Sequence, residues 1–222
     1  MNFGNWEAKS VLTALAILTV VTSDVAAEPP YLGGDWVVGL NATKVLTGES
    51  LEAITVAGIP VPQANVAITD DMTLTFEVSY FLSPSFAVNF YSGIPATASL
   101  TGEGSLAGLQ VGETKYGPAI LSLQYHMSFI GDLIPYVGVG VGRVLFLDEK
   151  GGAVTNFNLK DAWAPTLQAG FRYRLNENWL ANVDVRYVPF KVDVSGSLGG
   201  APVDANIKID PLLVNVGVAY RF

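Results

Sequence analysis

The chain has 222 residues, a formal net charge of −8, one histidine and no cysteine. Half of its residues are hydrophobic, only 14% are charged, and the mean hydropathy is +0.38. The acidic balance excludes nucleic-acid binding, which needs clustered Lys and Arg, and the lack of cysteine excludes disulfides and thiolate metal sites. After residue 27 no run of eighteen apolar residues occurs, so we predict no transmembrane helix. Two classes remain: a protein with a very large core, or a β-barrel whose lipid-facing residues occupy alternate positions.

Residues 1–27 have the pattern of a secretory signal peptide. Lys9 precedes an apolar segment from Val11 to Val21, and Val25-Ala26-Ala27 supplies small residues for cleavage. We predict cleavage after Ala27, so that residues 28–222 form the mature protein. A membrane anchor or a short core helix is the alternative, but the apolar segment is short for a membrane span.

The rest of the chain consists of segments in which apolar and polar residues alternate, the pattern of β-strands with one apolar face. The clearest early example is the segment around Glu77, where Leu74, Phe76, Val78 and Tyr80 share one face. Eight strands are predicted in chain order, over about 35–46, 72–82, 86–93, 115–129, 135–148, 163–175, 179–194 and 207–222.

The connections between these strands alternate in length. Three tight turns, at 83–85, 130–133 and 176–178, alternate with four long segments, at about 47–71, 93–114, 149–162 and 195–206. An even number of strands with short turns at one end and long loops at the other is typical of outer-membrane barrels. We therefore predict an all-β fold: an eight-stranded antiparallel transmembrane β-barrel with short periplasmic turns and four long extracellular loops.

Alternation alone leaves open which face points inward, and a soluble barrel or sandwich remains the alternative. Aromatic residues cluster near strand ends on the apolar face, as interfacial girdles do. The other face carries charged residues that can pair inside a narrow lumen. We predict that this lumen contains a polar network with the members Arg172, Arg174, Asp184 and Arg221. The network is more consistent with a structural role than with an ion filter.

Three segments carry a resemblance to a known family. They are Pro135-Tyr136-Val137-Gly138-Val139-Gly140, the Leu-Lys-Asp-Ala-Trp block of 159–163 with Asn178-Trp179-Leu180 after it, and the final Ala-Tyr-Arg-Phe of 219–222. With these segments the mature chain resembles the OmpW family of small outer-membrane barrels, of the OmpW/AlkL type. The resemblance implies a narrow hydrophobic channel that takes up small apolar molecules and releases them sideways into the bilayer. It also implies that Tyr220 and Phe222 form a signal for the barrel assembly machinery.

Candidate channel-lining or gating residues are Tyr91, Ile120, Trp163, Leu180 and Arg186. Tyr91 and Arg186 match family positions near the channel floor, where Arg186 is more polar than the family pattern. For Trp163, anchoring at the membrane interface is the alternative to gating the channel mouth. The expected partners are outer-membrane lipid, lipopolysaccharide, the assembly machinery and small apolar solutes.

The predicted function is passive uptake of small hydrophobic molecules. The alternative is a structural or interaction barrel that acts through its extracellular loops while the lumen stays closed. We predict no enzymatic activity, because the single histidine, His126, has no fixed serine or acid partner in the sequence. No cofactor and no metal site are predicted, since the loop acids Asp70-Asp71 and Asp148-Glu149 lack the spacing of a calcium loop.

Overall fold

The computed structural model describes residues 30–127 and 131–222, so the predicted signal peptide of residues 1–27 lies outside the described residues. Within these ranges no helix is long and apolar enough to cross a membrane. The described residues form fifteen strands. These are β1 (Trp36–Leu46), β2 (Glu49–Val56), β3 (Ile59–Pro60), β4 (Ala64–Ile68), β5 (Asp71–Ser83), β6 (Phe86–Gly93), β7 (Ala96–Gly104), β8 (Gln110–His126), β9 (Leu133–Gly151), β10 (Val154–Leu159), β11 (Ala162–Arg174), β12 (Trp179–Tyr187), β13 (Phe190–Leu198), β14 (Ala201–Ile209) and β15 (Leu212–Arg221).

Eight of these strands close into an antiparallel barrel, in the order β1-β5-β6-β8-β9-β11-β12-β15 and back to β1. The first and last strands pair over ten residues, from Val37 opposite Arg221 to Leu46 opposite Leu212. The predicted eight-stranded barrel is thereby confirmed. This eight-stranded barrel is called here the lower barrel. The end that carries the three tight turns is called the turn end, and the opposite end is called the extended end.

Two predicted strands are divided in the structure, which corrects their bounds. The strand predicted over 179–194 breaks between β12 and β13 at Val188-Pro189, and the strand predicted over 207–222 breaks between β14 and β15 at Asp210-Pro211. Proline has no N–H to donate to a sheet ladder. The two breaks are joined by a bond from the amide of Val188 to the carbonyl of Pro211, 3.1 Å long.

The four predicted long loops are largely built as strands. Beyond the extended end of the lower barrel, two sheets continue the wall. Together they are called here the upper tier. One follows the order β9-β8-β7-β4 and the other the order β10-β13-β14-β2-β3. Long connections rich in alternating residues thus extend the barrel at the extended end instead of forming irregular loops.

The two sheets of the upper tier meet at two seams, β2 against β4 and β9 against β10, and in the described residues neither seam has a backbone ladder. Side chains join the seams instead. Glu49 accepts a hydrogen bond from the amide of Ile68 at 3.0 Å, and Asp70 accepts one from Thr47 at 2.9 Å. At the other seam Glu149 accepts from the amide of Leu159 at 2.8 Å.

The outer face of the lower barrel is a continuous apolar belt, because the apolar set of each alternating strand points outward. Near the turn end the belt carries paired aromatic rings: Trp36 with Tyr80, Phe86 with Tyr125, and Trp179 with Tyr220. At the extended end, the belt gives way to charged pairs such as Lys44 with Asp70. An apolar band with an aromatic girdle at its edge is the surface that a hydrocarbon environment requires.

Candidate functional site in the barrel interior

The middle of the barrel interior is a buried ionic layer centred on Glu77 of β5. One of its carboxylate oxygens accepts from Arg172 of β11 at 3.1 Å, and the other accepts from Arg186 of β12 at 2.7 Å. Arg186 also donates its Nε–H to Asp184 at 3.0 Å, and all four side chains are fully buried. Two cations and two anions cancel, which is the condition for keeping charges in a dry interior.

Neutral side chains extend this layer. Asn89 donates to Glu77 at 3.1 Å, and Asn215 donates to Asp184 at 2.8 Å. Asn182 donates to Asp184 on its own strand and to Asn41 of β1, two strands away along the wall. Because these side chains come from most of the barrel strands, the layer ties opposite walls together and closes the lumen in cross-section.

Below the ionic layer, the turn end is filled by an apolar cluster: Tyr31, Val37, Phe81, Ala87, Ile134, Leu180 and Ala219. The rings of Tyr31 and Phe81 stack with their centroids 3.8 Å apart. His126 lies against Phe81 and Tyr136, and its Nε2 is 3.1 Å from the side-chain oxygen of Gln124. In the described part of the chain no serine or carboxylate side chain is hydrogen-bonded to this histidine, so its setting is that of a packed core residue.

Tyr91 separates the ionic layer from the space above it. The guanidinium of Arg186 lies 3.9 Å from the centre of the Tyr91 ring, a cation–π contact. The Tyr91 hydroxyl donates to Asn215 at 2.9 Å. The ring is fully buried and also lines a cavity on the extended side. Tyr91 therefore forms a floor with a polar side that faces the ionic layer.

Above this floor the interior is an apolar column that runs into the upper tier. It contains three small cavities of about 40, 30 and 30 Å³, called the upper, middle and lower cavity. Leu100 and Ile207 line both the upper and the middle cavity. Tyr116, Phe190 and Pro211 line both the middle and the lower cavity, and they are called here the waist.

The barrel wall has a gap in its ladder beside the lower cavity. The pairing of β6 with β8 ends at Tyr91 opposite Ile120, and that of β7 with β8 begins at Ala96 opposite Tyr116. Between these pairs lie residues 92–95 on one side and 117–119 on the other, each with a proline that cannot donate an amide hydrogen. Pro118 also lines the lower cavity.

The segment 92–95 is fastened on its other side. Thr73 donates its hydroxyl to the carbonyl of Ile94 at 2.7 Å, and the amide of Ile94 donates to Leu74 at 2.9 Å. Ile94 itself is exposed on the outside of the wall. The lower cavity therefore lies beside a stretch of wall in which β8 has no ladder bond to the segment 92–95.

The structure places the five candidate channel residues in different regions. Tyr91 and Ile120 are buried in the apolar cluster of the column, and Arg186 lies in the ionic layer beneath it. Leu180 lies in the cluster at the turn end. Trp163 lies on the outer face, 68% exposed and near Arg143. Leu180 therefore lies below the closed layer and Trp163 points out of the barrel, and the lining or gating role of the five residues stays a prediction.

Of the four residues predicted for the polar network, Arg172 and Asp184 belong to the ionic layer. Arg174 is half-buried near the turn end and shows no side-chain partner among the described residues. Arg221 donates to the carbonyl of Pro30 at 3.0 Å and lies 3.6 Å from Asp35. Both positions alternate inward in the sequence, but they lie too close to the turn end to reach the layer.

Alternation on β5 predicts that Glu77 faces the lumen with the other charged residues. Its central position in the ionic layer and the existence of the waist were not predicted. Alternation gives no comparable signal that Phe190 and Pro211 line the column. Their place at the waist follows from the strand breaks at Pro189 and Pro211.

Comparison with known proteins gives one family. A family model described as the OmpW family matches residues 33–222. Outer membrane protein AlkL of Ectopseudomonas oleovorans is 47% identical over 230 residues, covering 100% of both chains. The solid-state NMR structure of AlkL in DMPC lipid bilayers is 48% identical with a TM-score of 0.72, covering 91% of this chain and 97% of that one.

Two further relatives come from Pseudomonas aeruginosa. The dibenzothiophene metabolism operon protein PahQ is 30% identical over 187 residues, covering 84% of this chain and 88% of its own. The crystal structure of OprG has a TM-score of 0.81 at 24% identity, covering 86% of this chain and 97% of that one. At that identity, OprG supports the barrel fold alone.

Proposed function

The chain belongs to the OmpW family of outer-membrane proteins, and from this premise we propose that it is a passive channel for the uptake of small hydrophobic molecules. The observation that carries the proposal is the apolar column, which runs from the extended end to a polar floor at Tyr91. Transfer of an apolar solute from water into such a column is favourable by about 25 cal/mol of free energy per Å² of solute surface buried. The relative PahQ is named for a dibenzothiophene metabolism operon, and dibenzothiophene is an apolar compound.

The solute leaves sideways into the membrane in this proposal. The ionic layer and the cluster below it oppose passage towards the periplasm, because an apolar solute would have to displace paired charges. The gap between residues 92–95 and 117–119 offers an exit from the lower cavity. No energy source is needed, since the solute moves from a dilute aqueous phase into lipid.

A cross-link across the gap tests this exit. The register of Tyr91 opposite Ile120, extended by one residue, would bring Ser92 opposite Ala119, so the double variant Ser92→Cys with Ala119→Cys is designed to cross-link the gap. The matched control is Phe90→Cys with Leu121→Cys, a pair two residues away in the intact ladder. The chain has no cysteine of its own, so no other disulfide forms.

The measurement is the uptake of radiolabelled n-octane by cells with an intact outer membrane, before and after reduction of the cross-link. We expect wild-type cells to take up the probe faster than cells without the protein. Oxidation should slow uptake at least about tenfold in the gap variant, since a closed exit removes the path altogether, and should leave the control unchanged. Equal rates with the gap stapled would overturn lateral release. Equal rates with and without the wild-type protein would overturn uptake and favour the extracellular loops as the working part.

We further propose that Tyr220 and Phe222 are recognised by the barrel assembly machinery and that lipopolysaccharide surrounds the belt at its extended end. The rings of Tyr220 and Phe222 lie 4.7 Å apart at the turn end, and Phe222 is 69% exposed. An exposed aromatic pair is accessible to a partner before the barrel enters the membrane. Phe222→Ala should lower the amount of folded protein in the outer membrane, measured by heat-modifiable gel mobility, and an unchanged amount contradicts this role.

A further inference from the structure

The waist lies where the architecture of the wall changes. At this level the chain passes from one sheet to the other twice, from β12 to β13 at Pro189 and from β14 to β15 at Pro211. Phe190 is the first residue of β13, and Pro211 precedes β15. The bond from Val188 to Pro211 holds the two breaks together at 3.1 Å. The backbone at the waist is therefore fixed on one side, and a passing solute has to be accommodated by side chains.

The space at the waist is small. The cavities above and below it are about 30 Å³ each, room for about two water molecules. Eight strands enclose an interior that side chains can fill completely. A solute therefore passes only when a side chain moves aside. Of the three waist residues, Pro211 is rigid, so Phe190 and Tyr116 have to rotate.

Phe190 is one of the two waist residues that can rotate. The residue is 7% exposed, and its ring packs against Phe146 with centroids 6.3 Å apart. Rotation of the Phe190 ring alone opens a narrow passage, which is wide enough for a slim linear solute. A wide fused-ring solute needs Phe190 and Tyr116 to move together against their neighbours in a packed interior, which costs more.

We infer that Phe190 sets the cross-section of the solutes that pass, so that the channel favours slim linear apolar molecules over wide fused-ring ones. This inference rests on the proposed uptake function and adds to it a specificity-determining residue. Phe190→Ala removes the ring and joins the middle and lower cavities. Phe190→Trp fills the same place with a larger ring.

The test compares two fluorescent apolar probes in cells with an intact outer membrane: rod-shaped diphenylhexatriene and the flat four-ring probe pyrene. We expect wild type to accelerate diphenylhexatriene entry more than pyrene entry. Phe190→Ala should raise the protein-dependent rate for pyrene at least about tenfold, within the range by which pocket shape discriminates substrates, and change that for diphenylhexatriene much less. Phe190→Trp should slow both probes.

The matched control is Phe171→Ala, which deletes the same ring from the lipid-facing belt, where Phe171 is 40% exposed. It should leave the ratio of the two rates at the wild-type value. Heat-modifiable gel mobility shows whether each variant is folded, and Phe190→Leu replaces Phe190→Ala if the latter does not fold. Suppose that wild-type cells take up the probes faster than cells without the protein, but folded Phe190 variants show the wild-type ratio of pyrene to diphenylhexatriene rates. This result overturns the role of Phe190 and leaves the proposed uptake function standing. If wild type speeds neither probe, the proposed uptake function itself fails.

Discussion

Glu77 shows how much depends on one side chain inside the barrel. Its two carboxylate oxygens are bound to Arg172 and Arg186, which lie 95 and 109 residues away along the chain. Alternation predicts that all three side chains point inward. Which inward residues meet depends on strand stagger around the closed barrel, and that information is not present in any single strand. The sequence therefore predicted Arg172, Asp184 and Arg186 as interior residues, but not Glu77 as their centre.

Glu77→Gln tests the ionic layer. The substitution leaves two buried arginines opposite the single acid Asp184, and an uncompensated buried charge costs about 3–5 kcal/mol of stability. Urea unfolding in lipid vesicles, followed by the gel mobility of the folded form, should show a loss of this size. Glu177→Gln, at an exposed turn, is the matched control and should unfold like wild type. A Glu77→Gln variant as stable as wild type would show that the charges are not coupled.

At the scale of elements, prolines mark the difference between prediction and structure. The lower strands were predicted within a few residues because their alternation is continuous. Two predicted strands crossed Pro189 and Pro211, where the chain in fact passes from one sheet to another. The long connections were predicted as loops because glycines and prolines interrupt their alternation, yet they pair with neighbours that the sequence does not identify.

The seam between β2 and β4 gives a prediction about pH. Glu49 is about half buried, and this burial raises the pKa of its carboxyl group above the ordinary value of 4.5, while the bond from Ile68 acts in the opposite direction. A raised pKa means that the folded seam binds a proton more readily than the unfolded one. The charged carboxylate of Glu49 thus lowers the stability of the folded seam. This loss of stability is fully present above the raised pKa and disappears as the pH falls below 4.5.

Hydrogen exchange of the Ile68 amide measures this effect. In wild type, protection corrected for the intrinsic exchange rate should rise as the pH is lowered through the window just above 4.5. Glu49→Gln keeps an acceptor oxygen without the charge, so its protection should be at least equal at neutral pH and should lack this rise. Glu49→Ala loses the bond, at a cost of about 1 kcal/mol. Equal protection in wild type and Glu49→Ala would show that this side chain does not hold the seam.

The whole molecule is a closed lower barrel that carries an upper tier with two seams. In the lower barrel each strand is hydrogen-bonded to both neighbours, apart from the short gap at 92–95. In the upper tier the seams at β2–β4 and β9–β10 depend on side chains such as Glu49 and Glu149. The overall barrel was predictable because an even count of alternating strands is visible in the sequence. The upper tier was not predictable, since its strands pair with partners that lie far away in the sequence.

This difference predicts two levels of backbone stability. Amides of β2, β10, β13 and β14 should exchange faster with deuterium than those of β1, β5, β12 and β15, because partial opening at a seam breaks no ladder bond. Hydrogen-exchange mass spectrometry of the protein in lipid vesicles measures both groups in one experiment, so each serves as the other's reference. Uniform exchange across the two tiers would contradict this view of the seams.

The outer belt also has a height, and that height bears on which membrane the protein fits. On β1 the first outward charged residue after Trp36 is Lys44, and on β9 the first one after Pro135 is Arg143. Eight residues of a strand advance about 26 Å, which at a tilt of about 40° covers about 20 Å of membrane thickness. A typical hydrocarbon core is about 30 Å thick, whereas the bacterial outer membrane is thinner. On these two strands a thin membrane gives the smaller hydrophobic mismatch, so the spacing of a few charged residues helps to determine where the barrel is stable.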